Sequence, residues 1–281
     1  VEKAVSIQMQ NQTIMLGNQY IYVSIKPGKV GTVPLLIMNG IGANTTLLTP
    51  FVEAMHESNP DIEIITFDVP GVGGSSTPSL PYRFSGLAKT VGQMLDCLNY
   101  AQVDVLGLSW GGFLACQFAY DYPQRCKKLI LCATATGVTS VPPSFKVLSL
   151  MASPRRYSDS AYMIEVAPLI YGGKFRTDPE LAVKYAQKME ANRSENKANA
   201  AGYKFQQLAI CWWSSLWMLP YIKQPTLLLG GSDDPIIPLL NMKIMKGLIP
   251  NSKLHVVDDG HLFLLCSTDV VTPIINEFLG N

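Results

Sequence analysis

Short apolar runs and helically spaced apolar positions alternate along this chain, and that rhythm predicts its layout. Residues 5–16 and 19–25 are two runs set around Gly17-Asn18, a turn pair suited to a hairpin. Residues 33–38 are apolar almost throughout and end in Asn39-Gly40-Ile41-Gly42, the pattern of a strand buried on both faces that enters a tight turn. A helix is expected over 50–57, then a second buried strand over 62–67 that ends in Asp68-Val69-Pro70-Gly71. Over 85–98, Leu87, Val91, Met94, Leu95 and Leu98 share one helical face. Two more buried strands, 103–108 and 128–132, flank a helix over 112–121. Such alternation builds an α/β fold, a mostly parallel sheet with helices on both faces.

Between Gly137 and Lys223 the rhythm stops. The stretch lacks short β-branched runs, carries helical spacing over 178–190 and 203–219, and holds Trp212, Trp213 and Trp217. Strand patterns return over 226–229 and 253–257, and a closing helix is expected over 270–279. The expected division is therefore a core from 1–137, a helical cap insertion over 138–222, and the rest of the core over 223–281. Roughly 85 residues are too many for a plain loop. The Asn- and Ala-rich piece 191–201 reads as a surface loop.

Composition narrows the class. With 281 residues, 48% hydrophobic and 15% charged, the chain can bury a large core and is not a disordered segment. Lys and Arg number 22 against 21 Asp and Glu, which gives a nucleic-acid backbone no basic face. No apolar run reaches the ~18 residues of a transmembrane helix. Cys97, Cys116, Cys126, Cys132, Cys211 and Cys266 form no CxxC pair and no Cys/His cluster at zinc spacing, so no metal is expected. They read as reduced thiols of a cytoplasmic protein, although their even number leaves disulfides open. The start, Val1-Glu2-Lys3, is unlike the basic-then-apolar opening of a secretory signal.

Gly107-Leu108-Ser109-Trp110-Gly111 falls where a buried strand turns into a helix. The pentapeptide alone is a common string, but its placement gives it meaning. A sharp turn there exposes the serine hydroxyl, and small residues on either side let strand and helix approach. Ser109 is the candidate nucleophile. It needs a base, and the chain offers three histidines. His56 sits at a polar helix end and is expected to face solvent. His255 alternates within a strand. His261 follows Asp258-Asp259-Gly260 in a loop after the penultimate element and is the candidate base. The acid that orients it should end a strand between the two. Gly230-Gly231-Ser232-Asp233-Asp234-Pro235 supplies Asp234, with Asp233 as the alternative; Asp258 and Asp259 are expected to stabilise the histidine loop. Two backbone donors should receive the oxyanion, namely the N–H of Trp110 and, from the turn after the first buried strand, that of Ile41. The stretch 71–76 lacks a P-loop lysine and reads as a close-packed turn.

Asn39-Gly40-Ile41-Gly42, Gly107-x-Ser109-x-Gly111, Gly231-x-x-Asp234 and Asp259-Gly260-His261 together resemble the α/β-hydrolase superfamily over nearly the whole chain. More narrowly, the sequence is similar to intracellular medium-chain-length poly(3-hydroxyalkanoate) depolymerases. That likeness rests on residues 67–78, Pro81-Tyr82-Arg83-Phe84, residues 151–157, Ile170-Tyr171-Gly172-Gly173 and residues 258–264. It is weakest over 190–201. The resemblance implies ester hydrolysis through an acyl-serine, with Ser109, Asp234 and His261 as triad, no metal or organic cofactor, and 3-hydroxy acids as products. An apolar polyester suits an apolar cap, so Trp212, Trp213, Leu216 and Trp217 are expected to contact substrate, with a packed cap core as the competing use. Apolar surface could serve a polymer granule or a homodimer. The rival readings are a small-molecule carboxylesterase or lactonase with the same triad, and a non-catalytic ligand receptor, against which the complete triad argues.

Overall fold

A computed structural model describes residues 8–153, 155, 159–195 and 200–280. The strands are β1 (Gln10–Leu16), β2 (Gln19–Lys26), β3 (Leu35–Met38), β4 (Ile64–Phe67), β5 (Val103–Leu108), β6 (Cys126–Cys132), β7 (Thr226–Gly231) and β8 (Ser252–Val257). They form one sheet in the order β1-β2-β4-β3-β5-β6-β7-β8. The β1–β2 hairpin turns at Gly17-Asn18, and its first two strands join the sheet antiparallel; all pairs from β4 onward are parallel.

Period-two alternation along the central strands splits the core into two layers. Leu36, Met38, Val105, Leu129 and Leu131 face α2 (Phe84–Cys97) and α3 (Trp110–Asp121), where Leu87, Val91, Leu114 and Phe118 meet them. Leu35, Ile37, Leu106, Leu108 and Ile130 face the opposite way, against Phe51, Val52 and Met55 of α1 (Thr49–Ser58) and Val271 and Ile275 of the closing helix. Each fully buried aliphatic side chain of this kind contributes roughly 1.5–3 kcal/mol. Register then aligns the strand ends. Met38 lies beside Gly107, Leu108 beside Cys132, and Cys132 beside Leu229, so the loops after β3, β5 and β7 leave the sheet along one edge. In parallel sheets this carboxyl edge is where sites form.

His56 departs from expectation: it is buried rather than solvent-facing. The closing helix lies along α1, and Asn276 Nδ2 donates to Ser58 Oγ at 2.7 Å, so the polar end of α1 is covered. His255, in contrast, is an exposed residue of β8, the last strand of the sheet.

Among the described residues, five α-helices lie between β6 and its sheet neighbour β7: α4 (Phe145–Ala152), α5 (Ser160–Tyr171), the single turn α6 (Lys174–Thr177), α7 (Pro179–Glu195) and α8 (Ala200–Ile210). Side-chain caps mark two starts, where Ser144 accepts from Val147 N–H and Asp159 from Tyr162 N–H. A third apolar cluster, built from Val147, Met163, Val166, Ile170 and Phe175, reaches the core at Ile236 and Leu262. Two expectations change here. The helix drawn over 203–219 stops at Ile210, because Trp212 takes a left-handed backbone (φ 67°) and Gly137 pairs with Ser214. Residues 191–195, expected in a loop, continue α7, and 200–201 begin α8, while 196–199 lie outside the described residues, as do 154 and 156–158 of the 151–157 string. The chain then closes with α9 (Leu240–Leu248), the short α10 (Phe263–Cys266) and α11 (Thr268–Gly280).

Candidate active site

Ser109 occupies the turn between β5 and α3 with φ 53° and ψ −116°, a backbone that side chains rarely adopt. The strain is held from both sides. Ser109 N–H donates to Cys132 O at 2.8 Å, and its carbonyl accepts from Thr134 Oγ1 at 2.7 Å. Gly111 is needed for the close approach, since a Cβ there would collide with Met38 O at the end of β3. The result lifts the Ser109 hydroxyl out of the sheet edge. His261 Nε2 stands 3.2 Å from Ser109 Oγ, and His261 Nδ1 lies 2.7 Å from Asp234 Oδ2.

Asp234 is buried just beyond β7, and its other oxygen, Oδ1, accepts from Ile236 N–H at 2.9 Å and Ile237 N–H at 2.8 Å. Those two bonds fix the carboxylate plane and leave Oδ2 for the imidazole. A buried carboxylate on Nδ1 favours the tautomer with its proton there, so that Nε2 can accept one from a hydroxyl. The arrangement is a hydroxyl, a base and an orienting acid in line, and it can generate a nucleophile at neutral pH.

Neighbouring carboxylates do other work. Asp233, the alternative acid, turns away: its Oδ2 accepts from Gly173 N–H at 2.8 Å and meets Arg176 Nε at 3.2 Å. Asp259 Oδ1 accepts from Gly260 N–H and from Lys174 N–H, while its Oδ2 takes the Ser267 hydroxyl. His261 N–H donates to Tyr171 O at 2.8 Å. The turn after α5 is therefore fastened to both the acid loop and the base loop.

The other side of Ser109 is the Asn39–Gly42 turn. A Cβ on Gly40 would sit 3.7 Å from Ser109 Cβ, which sets this turn alongside the nucleophile position. Trp110 is the first residue of α3, where an N–H has no acceptor within the helix. Among the described residues the Ile41 N–H has no backbone or side-chain acceptor either. Both amides are thus unspent donors. Asp68 braces this turn against the 71–76 segment: Oδ1 accepts from Thr45 N–H at 2.7 Å and Oδ2 from Gly74 N–H at 2.8 Å. Burial pushes the Asp68 carboxyl up to about 6, against the pull of those amides.

The four expected substrate contacts are spread out. Trp213 packs between Phe84 (4.7 Å between centroids) and Phe113 (5.3 Å), and its Nε1 donates to Gln117 Oε1. Trp217 stands edge-on to Tyr120, Leu216 is exposed, and Trp212 is 98% exposed. What covers the site instead is α8, which overlaps the helix expected over 203–219 but was given no role at the site. Its Gly202 meets Gly71 so closely that a Cβ would collide with Gly71 O, and Tyr203 lies against Gly42. Gln206 Oε1 accepts from Gly42 N–H at 2.9 Å, and Gln206 O accepts from Trp110 Nε1 at 3.0 Å. The only local signal was one small residue four positions before a polar one on a helix. Among the described residues no His, Cys, Asp or Glu group could hold a metal ion, all six cysteines are unpaired, and no helix is long and apolar enough to cross a membrane.

Comparison with known proteins gives three findings. A family model described as the alpha/beta hydrolase fold matches residues 33–266. A poly(3-hydroxyalkanoate) depolymerase of Ectopseudomonas oleovorans is 56% identical over 95% of this chain and 92% of its own, and a 2-hydroxy-6-oxo-2,4-heptadienoate hydrolase of Pseudomonas putida is 28% identical over 88% and 89%. Among solved structures, an enol-lactonase from Burkholderia xenovorans superimposes with a TM-score of 0.79 at 20% identity, over 96% of this chain and 100% of that one.

Proposed function

The chain belongs to the α/β-hydrolase family and, within it, to the poly(3-hydroxyalkanoate) depolymerases, and on that premise we propose that it cleaves medium-chain-length polymer with Ser109 as nucleophile. The observation that carries this reading is the contact line from Ser109 Oγ through His261 to Asp234. His261 Nε2 takes the hydroxyl proton as Oγ attacks the ester carbonyl. The tetrahedral oxyanion is received by the amides of Trp110 and Ile41. Collapse breaks the ester C–O bond, and His261 returns the proton to the departing alcohol oxygen. Water then repeats the cycle on the acyl-serine and frees a 3-hydroxy acid. Asp234 keeps the imidazole in its working tautomer throughout. Residues 138–222 act as the cap.

An insoluble polyester must be met at its surface. Val138, Trp212, Leu216, Trp217 and Tyr221 are exposed, and no charged residue lies between Lys204 and Lys223. Holding a tryptophan in a left-handed backbone costs roughly 1–2 kcal/mol, and here it results in full exposure of the ring. An exposed aromatic surface suits an uncharged polymer with polar ester groups. We assign this patch to the granule surface rather than to the acyl pocket and place the enzyme at polymer granules inside the cell. A Trp212→Ala/Trp217→Ala variant is expected to lose about fivefold more activity on polymer particles than on a soluble ester, equivalent to ~1 kcal/mol of contact. Equal losses on both would remove the patch from polymer binding.

The reading itself is tested by acid release from an amorphous medium-chain-length latex, beside a poly(3-hydroxybutyrate) latex and a soluble p-nitrophenyl ester. Release of medium-chain 3-hydroxy acids is expected. Cleavage of the soluble ester with both latexes inert would make the protein a small-molecule esterase.

A further inference from the structure

Gln206 is 99% enclosed, lies on α8 far from Ser109 in sequence, and touches both arms that flank the nucleophile. Its side-chain oxygen holds Gly42 N–H, next to Ile41, and its main-chain oxygen holds the indole N–H of Trp110. Gly202 and Tyr203, one turn earlier, seat the helix against Gly71 and Gly42. The carboxamide nitrogen of Gln206, by contrast, is buried and has no partner among the described residues. An enclosed donor without an acceptor is costly, so what offsets that cost here is the bond that the side-chain oxygen makes to Gly42 N–H. The working part of the amide is its oxygen.

We propose that Gln206 is a positioning residue for the oxyanion hole: it holds the Ile41 and Trp110 amides at the spacing the tetrahedral intermediate requires, and so makes that hole depend on where the helical insert sits. The proposal rests on Ser109 and those two amides doing the chemistry, but not on the polymer. One amide arm is fixed through Gly42 and the other through the Trp110 side chain. Moving α8 away would release both at once.

The test uses the full-length enzyme and a soluble p-nitrophenyl ester. Gln206→Met keeps the side-chain size and removes the accepting oxygen. Its kcat should fall about 10- to 100-fold, less than the loss of a whole oxyanion donor, with KM within about twofold. Affinity for an alkylboronic acid, which forms a tetrahedral adduct on serine, should fall by the same factor as kcat/KM. Thermal melting should stay close to wild type for Gln206→Met, since the unpartnered nitrogen is also removed. If that variant does not fold, Trp110→Phe, which deletes the indole donor along with part of the buried ring, must show the same fall in kcat and boronate affinity at unchanged KM. A kcat within twofold of wild type, or an effect confined to KM, would overturn the proposal. Full activity in Ser109→Ala would instead remove the catalytic reading on which it rests.

Discussion

Ser109→Ala is expected to reduce kcat on a soluble ester by about 10⁶-fold, because removing the nucleophile of such a unit costs nearly as much as removing the unit. The fold should not register the change. Ser109 is held by its main chain, through Cys132 O and the Thr134 hydroxyl, and the alanine keeps both bonds. The left-handed backbone is no worse for alanine than for serine. A melting curve superimposable on wild type, together with the kinetic loss, would place the effect in chemistry. The remaining rate should still exceed that in water by about 10³- to 10⁴-fold, supplied by the oxyanion donors and substrate binding.

Asp234→Asn carries the second large effect, a loss of about 10⁴-fold in kcat. The cause is a tautomer. Asparagine can keep one oxygen on the Ile236 and Ile237 amides, which turns its NH2 toward His261 Nδ1. Nδ1 must then accept, the ring proton moves to Nε2, and the atom facing Ser109 becomes a donor. Asp233→Asn provides the comparison, since Asp233 bonds the turn after α5 and not the imidazole. Steady-state kinetics on both variants will decide between the two neighbours. A loss under about tenfold for Asp234→Asn, or a larger one for Asp233→Asn, would move the acid by one residue.

Much of this arrangement was legible in the chain. Buried strands announce themselves because both faces are covered, so β3, β5 and β7 appear as apolar runs, and their parallel register brings the three following loops to one edge. Ser109 stood out because a strained elbow demands small neighbours, and Asp234 and His261 because they follow strand ends, and the three side chains lie in one contact line. Other features had no local signature. His56 looks like a surface residue until the closing helix, far away in sequence, is laid over α1. Helix α8 ends at Ile210 although its apolar spacing runs on, because tertiary pairing of Ser214 with Gly137 overrides the local pattern. Its grip on the Asn39–Gly42 turn is a hydrogen bond from one backbone N–H to one side-chain amide, and no periodicity encodes it. The tryptophans drew attention by their chemistry, yet the packed one sits in an aromatic seam and the exposed ones face outward.

The central claim, that polymer acyl groups pass through Ser109, is tested most directly by acid-quenching the enzyme during turnover on a medium-chain latex and mapping the covalent adduct by peptide mass spectrometry. The predicted result is a 3-hydroxyacyl mass on the peptide containing Ser109, absent from Ser109→Ala, whose acid release should be negligible. An adduct on a different residue, or acid release by Ser109→Ala at the wild-type rate, would contradict it.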